Sequence, residues 1–425
     1  MQKSFIVKLI IRTSLNLLSK YKMVILKEHN YIFKGIFIVQ IMLMIDGAFS
    51  VFQMETSQLL SLIRYFMYFF GVYWMFKGIK SNHTNSTIVQ KVFFVWAGFL
   101  IIASLPDLLN PMQNHVNFKS FISGKLFIYS LPFLISANLD VSFFKSIFRL
   151  SYYMIIVYII LAIPVYFTDT VFTSRGLSEF ITFLLEGAVI ILMTISYQKR
   201  EKILIVLFAV IAAIVIMMLL ARRNKVVFYG GGLVMAVVLN VLKGKMDGGL
   251  KSFIIFATIA GSFFLYFSGG MFDAFFSKME GGMSSRELVI EDFYSDFNRT
   301  PDDWIYGRGL FGEFDAGVLN TNENTGQRDA IENGYLQLIL KGGWIWLGLL
   351  MYVSVLSVYK GLFKSKNIFV KGCACIILLY FLDMVGFGVP VASLKYIMVF
   401  LSISVCSSDR WRSYSDAEIK NKLAL

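Results

Sequence analysis

D-A-I-E-N-G-Y-L-Q-L-I-L-K-G-G-W-I-W-L-G-L-L, residues 329–350, marks the return of a long polar segment to apolar sequence. Glu332 and Asn333 stand at the boundary, and the Gly342-Gly343 pair then interrupts the apolar run. Charge and glycine are both unfavourable inside an apolar helix. Their placement predicts a short re-entrant helix, a joint at the glycine pair, and a long apolar helix from about Gly343.

The rest of the chain sets the context. Of its 425 residues 57% are hydrophobic and only 16% charged, with a mean hydropathy of +0.68. Soluble domains carry closer to a quarter charged residues. The apolar residues also come in blocks of about 17–25, long enough to cross a bilayer as helices. The expected fold is all-α: a polytopic helical membrane protein of about twelve transmembrane helices. One long outside loop containing short helices completes it. Spans are expected at 35–52, 59–76, 92–105, 121–137, 152–167, 180–197, 203–220, 226–242, 252–268, 343–359, 372–388 and 391–406. The organisation is then an amphipathic cytoplasmic lead-in (1–34), nine spans (35–268), the large loop (269–334), a re-entrant segment with three spans (335–406) and a cytoplasmic tail (407–425).

Charge orients this arrangement. Lys77, Lys80, Lys91, Lys145, Arg149, Lys199, Arg200, Lys202, Lys243, Lys245, Lys251, Lys360, Lys364, Lys366 and Lys371 all fall in loops on one side. That side is expected to be the cytoplasm, with both termini on it. The net charge of +13 is explained by this bias, and no nucleic-acid motif accompanies it. Cys373, Cys375 and Cys406 have neither metal nor redox spacing, so no disulfide, metal or cofactor is expected.

Cations on the opposite side break the pattern. A-R-R-N-K, residues 221–225, is a turn with three cations and no adjacent acid. Arg175, Arg286, Arg299, Arg308 and Arg328 join it outside. Such residues can snorkel to lipid phosphates. An arginine cluster at the outer leaflet can equally bind a phosphate or pyrophosphate through its planar fork. Within the long loop, residues 286–298 can form an amphipathic helix with Leu288, Ile290, Phe293, Tyr294 and Phe297 towards one side. N-R-T-P breaks it, and Y-G-R-G-L-F-G reads as a tight turn. Asp46, Arg64, Glu186 and Asp383 fall inside spans. Intramembrane charges are functional candidates, although pairing of Asp46 or Glu186 with Arg64 is the plainer expectation.

Three elements together resemble a known family. They are the arginines of A-R-R-N-K, the loop carrying S-S-R-E and G-x-G (Gly307, Gly309), and the return E-N-G-Y-L-Q-L-I-L-K-G-G-W-I-W. The pattern, roughly residues 220–350, resembles the O-antigen polymerase and O-antigen ligase superfamily of bacterial inner-membrane glycosyltransferases. The resemblance implies metal-independent transfer of a saccharide from undecaprenyl pyrophosphate at the periplasmic face. It also implies a flippase and a chain-length regulator as partners, beside membrane lipid and the lipid-linked oligosaccharide. Ligases usually read H-N where this chain has Glu332-Asn333, which favours a polymerase. On this reading Arg222, Arg223, Arg286, Arg175 and Arg308 face the pyrophosphate and stabilise the leaving charge. Arg286 is counted with Glu332 as catalytic, Glu332 taking the acceptor proton or orienting its hydroxyl. Asn333 and Tyr335 contact sugar. The alternatives are a ligase to lipid A-core and, in another class, a lipid-linked oligosaccharide flippase or other transporter.

Overall fold

A computed structural model describes residues 30–51, 58–81, 87–106, 125–166, 183–219, 222–242, 287–316, 326–386 and 391–423. Helix dominates them. In chain order they are α1 (Tyr31–Val51), α2 (Gln58–Ser81), α3 (Ile88–Ala103), α4 (Leu126–Ser130), α5 (Val141–Tyr166), α6 (Ala188–Met193), α7 (Arg200–Leu219) and α8 (Arg223–Leu242). Next come α9 (287–297), α10 (Pro301–Tyr306), α11 (Gly334–Phe363), α12 (Ile368–Met384), α13 (Leu394–Ser407), α14 (Asp409–Ser413) and α15 (Asp416–Leu423). The strands Phe314–Asp315 and Gln327–Arg328 pair antiparallel, with Phe314 opposite Arg328.

Three described helices are long and apolar enough to cross a membrane: Val141–Ile160, Arg200–Met218 and Gly334–Phe363. Several other expected spans are shorter, broken or shifted. Of the stretch expected at 121–137, the described part is α4 running into a 3-10 helix, Leu131–Ser136, where Pro132 removes an amide donor. The stretch expected at 180–197 turns at Glu186-Gly187 and again at Thr194, whose hydroxyl donates back to Ile190 O at 2.7 Å. Helix α5 starts earlier than expected and takes Lys145 and Arg149 into its first turns. Helix α12 likewise takes in Lys371. The ninth expected span, 252–268, lies outside the described residues, as do residues 1–29 of the lead-in.

Apolar patterning decides which faces meet. Helix α3 starts at a capping box in which Thr87 accepts from the amide of Gln90, whose side chain accepts from the amide of Thr87. It buries Phe93, Ala97 and Leu100 and exposes Ile88, Val92, Val95, Phe99 and Ile102 on another face. A continuous apolar stripe of that kind suits lipid or a partner better than water. Helices α1 and α2 cross closely because both are glycine there: a Cβ on Gly35 would lie 2.3 Å from Gly71 O.

The two ends of the bundle differ. At one end Asn367 donates to Trp411 O and Tyr414 O, both at 2.9 Å, and the Trp411 indole donates to Leu139 O at 2.9 Å. Around that tie Phe369 stacks on Trp411, and Phe144 meets both edge-on. The described part of the segment expected as a tail, 407–423, is therefore folded against the bundle through buried Trp411, Ile419 and Leu423. Lys145, Arg149, Lys199 and Lys202 interact electrostatically at this end. The opposite end holds the candidate site.

Candidate functional site

The helix that re-enters the bundle begins at Glu332-Asn333. Asn333 is the N-cap of α11: its Oδ1 accepts from the amides of Tyr335 (3.0 Å) and Leu336 (3.2 Å). A cap of this kind is worth about 1 kcal/mol. Gln337, one turn on, donates to Asp329 O at 2.9 Å and accepts from the Ile331 amide at 2.7 Å. The chain entering the helix is thus held by the helix's own side chains. Glu332 keeps a carboxylate that is 41% exposed, with Oε1 3.9 Å from Arg328 Nη2. The predicted joint is present: Gly343 departs from helical geometry at φ 67°, ψ −174°.

Tyr335, expected to contact sugar, donates its hydroxyl to Phe381 O at 2.8 Å and so fastens α11 to α12. Two residues beyond Phe381 lies the polar centre of this end. Asp383 Oδ2 accepts from Lys395 Nζ at 2.6 Å, both side chains being nearly fully buried. Tyr396 O–H reaches the same oxygen at 3.4 Å. Glu186 Oε2 accepts from the Lys395 amide at 3.2 Å and is also acted on by Lys225. The Lys395 ammonium lies over the rings of Tyr396 and Phe228. So Asp383, read as an intramembrane charge, pairs with Lys395, and Glu186 holds the backbone amide of the same residue; the expected pairing of Glu186 with Arg64 involves a side chain outside the described residues. Lys395 falls inside the span expected at 391–406, and that position is the sequence signal that marks it as a further intramembrane charge. The side chains of Asp46 and Arg64 lie outside the described residues.

The basic turn reaches the same place. The Arg222 amide donates to Met217 O at 2.8 Å, closing the turn between α7 and α8. Asn224, in the first turn of α8, lies so near Gly386 that a Cβ there would come within 2.1 Å of its carboxamide. Four helix ends therefore converge: the starts of α8, α11 and α13 and the end of α12. Arg222 is half-buried. The side chain of Arg223, and all of Arg175 and Arg286, lie outside the described residues.

The loop forms a small body against the joint in α11. Helix α9 buries Val289, Phe293 and Phe297, with Asp296 beside them, while Leu288 and Tyr294 are exposed. The expected face is thus partly kept: Phe293 and Phe297 are buried as expected and meet Trp304 and Phe314, Val289 rather than Leu288 completes their row, and Tyr294 stacks on Trp304 while staying exposed. Arg308, expected to bind substrate, clamps this body instead. Its Nε donates to Asp303 at 2.7 Å, its Nη1 to Asp296 and to Glu313 O (2.8 Å), and its Nη2 to Thr300 at 3.1 Å. A guanidinium has five N–H donors, so little of this fork remains for a phosphate. The Arg308 amide donates to Leu340 O at 2.7 Å, bringing the G-R-G turn onto α11. Below it Lys341 is 1% exposed and donates to Gly312 O at 2.7 Å, and Tyr129 donates to Lys341 O. Lys125 pairs with Asp329 at 3.0 Å.

The chain matches no family model, no curated protein and no solved structure. What stands is a predominantly helical protein with apolar helices capable of spanning a membrane by length and composition. A polar, charge-balanced cluster lies where four of its helices end.

Proposed function

We propose that this chain is an inner-membrane polymerase joining undecaprenyl-pyrophosphate-linked saccharide repeat units, for O-antigen or a similar surface polysaccharide. One observation carries the reading. The exposed Glu332 carboxylate, beside Arg328, stands on a helix start that Tyr335 fastens to the bundle end reached by the 222–225 turn. Transfer from a pyrophosphate needs two things, cations for the departing charge and a group to receive the acceptor hydroxyl proton. Arg222, Arg223 and Arg286 supply the first in this reading, and Glu332 the second. The acceptor oxygen attacks the anomeric carbon, the carbon–oxygen bond to the pyrophosphate breaks, and the hydroxyl proton passes to Glu332. Asn333, whose Oδ1 is taken by its cap, offers a sugar its Nδ2 only. Arg308 is left out of the substrate set.

The test is a strain lacking the gene, complemented with wild type or Glu332→Gln at matched expression. Loss of the polysaccharide ladder with a single repeat unit retained on the core is the expected result. A normal ladder with Glu332→Gln removes the proposed role of Glu332. Complete absence of repeats on the core in the deletion strain points to a ligase. The buried Asp383–Lys395–Glu186 cluster favours a second reading, a lipid-linked oligosaccharide flippase, since such clusters also serve transport paths. Accumulation of lipid-linked units on the cytoplasmic face of the deletion strain decides for it.

A further inference from the structure

Gln337 is 5% exposed, yet its carboxamide is satisfied on both sides by backbone, not by other side chains. Its Nε2 donates to the carbonyl of Asp329, and its Oε1 accepts from the amide of Ile331. A primary carboxamide meeting a C=O and an N–H two residues apart offers the backbone what a neighbouring strand would. Helical geometry lets it do so. Side chains on a helix lean towards its N-terminus, so Gln337, four residues beyond the N-cap Asn333, reaches back over the entering chain. Ile331 is wholly buried, which anchors the same peptide from its side chain. On the far side, Asn333 is held by its two cap bonds. Glu332 lies between these two clamped residues and has the exposed carboxylate of the group.

We propose that Gln337 is a positioning residue for Glu332: it sets where the carboxylate stands without touching substrate itself. The inference rests on the catalytic reading of Glu332 given above. A displacement of about 1 Å at a reacting group can cost a hundredfold in rate, so a clamp on the preceding peptide is where such precision would be lost. Binding of the lipid-linked donor, through cations on other helices, should be spared.

The experiment uses the full-length protein in lipid nanodiscs with a lipid-linked repeat unit as both donor and acceptor, and it reads kcat and KM. Gln337→Met keeps the volume and removes both bonds. It is expected to lower kcat about ten- to a hundredfold with KM changed by less than about twofold. Adding Gln337→Met to Glu332→Gln should cost nothing more, because both act through one group. Gln337→Glu keeps the acceptor for Ile331 but sets an oxygen against Asp329 O. It should fall between wild type and Gln337→Met, and it carries the test if the methionine variant does not fold. Wild-type kcat in either folded variant, a change confined to KM, or additive losses in the double variant overturns the positioning role while leaving that of Glu332 intact. Full activity of Glu332→Gln alone overturns the catalytic reading, and the positioning inference with it.

Discussion

Gly307 and Gly343 meet backbone to backbone: a Cβ on Gly307 would fall 2.6 Å from the amide nitrogen of Gly343. Both have positive φ, 72° and 67°, with ψ near 180°, a region essentially closed to other residues. The two glycine motifs that punctuate the chain 36 residues apart by number are therefore one contact, where the loop sits on the joint of α11. A Cβ on Gly343 would lie 2.0 Å from Ile305 O. Gly343→Ala should therefore cost about 3 kcal/mol or more through strain and forced separation. Gly309 also has positive φ (78°) but has no atom near an added Cβ, so Gly309→Ala should cost only the backbone strain, about 1–2 kcal/mol. Thermal unfolding of the two variants in detergent checks the order.

Arg308 holds α9, α10 and the strand pair together through Asp296 and Asp303. Asp296 is largely buried, so removing the guanidinium leaves its carboxylate, among the described residues, with no cation and held only by the amide of Asp315 at 3.1 Å. Arg308→Ala is expected to lose about 3 kcal/mol of local stability. Arg308→Lys should recover only part, because one ammonium cannot span both carboxylates. Hydrogen exchange across 287–316 is the measurement; protection unchanged in Arg308→Ala would show that the aromatic core alone holds the loop.

Lys395 and Asp383 are buried together, which makes each single loss worse than the double one. Lys395→Met or Asp383→Asn alone should destabilise by about 3–5 kcal/mol where a charge is stranded. The double variant should recover much of that loss, giving a large coupling energy in a double-mutant cycle. Additive effects would mean the pair contributes nothing as a pair.

Asp329 gives the loop's return an acid limit. Burial pushes its carboxyl up, but Lys125 at 3.0 Å, with Lys341 further off, outweighs this and holds it below the usual carboxylate range. A carboxyl depressed in the folded state adds stability above its unfolded value, about 3.9. That contribution fades as pH falls towards and through the folded value. With the side chain 43% exposed, solvent screening limits it to under about 1 kcal/mol. Melting temperatures between pH 3 and 6 should fall more steeply for wild type than for Asp329→Asn; parallel curves would remove Asp329 from the account.

Local chemistry was legible where it was self-contained. The apolar blocks announce helix, and the Gly-Gly pair announces the joint at Gly343. Asn333 reads in sequence as a sugar contact, and its place as the cap of α11 comes from the structure. Tertiary structure decided what depends on a distant partner. Period alone places Phe293 and Phe297 inward but takes Leu288 with them; packing against the loop's aromatic residues buries Val289 and leaves Leu288 exposed. Arg308 looked available until Asp296 and Asp303 were brought to it. Lys395 found Asp383 and Glu186 only when the ends of α12 and α13 met. The physical reason is common to all three. Helical propensity and capping act within a few residues along the chain, whereas charge pairing and aromatic packing are settled by whichever groups the folded backbone places within a few ångströms.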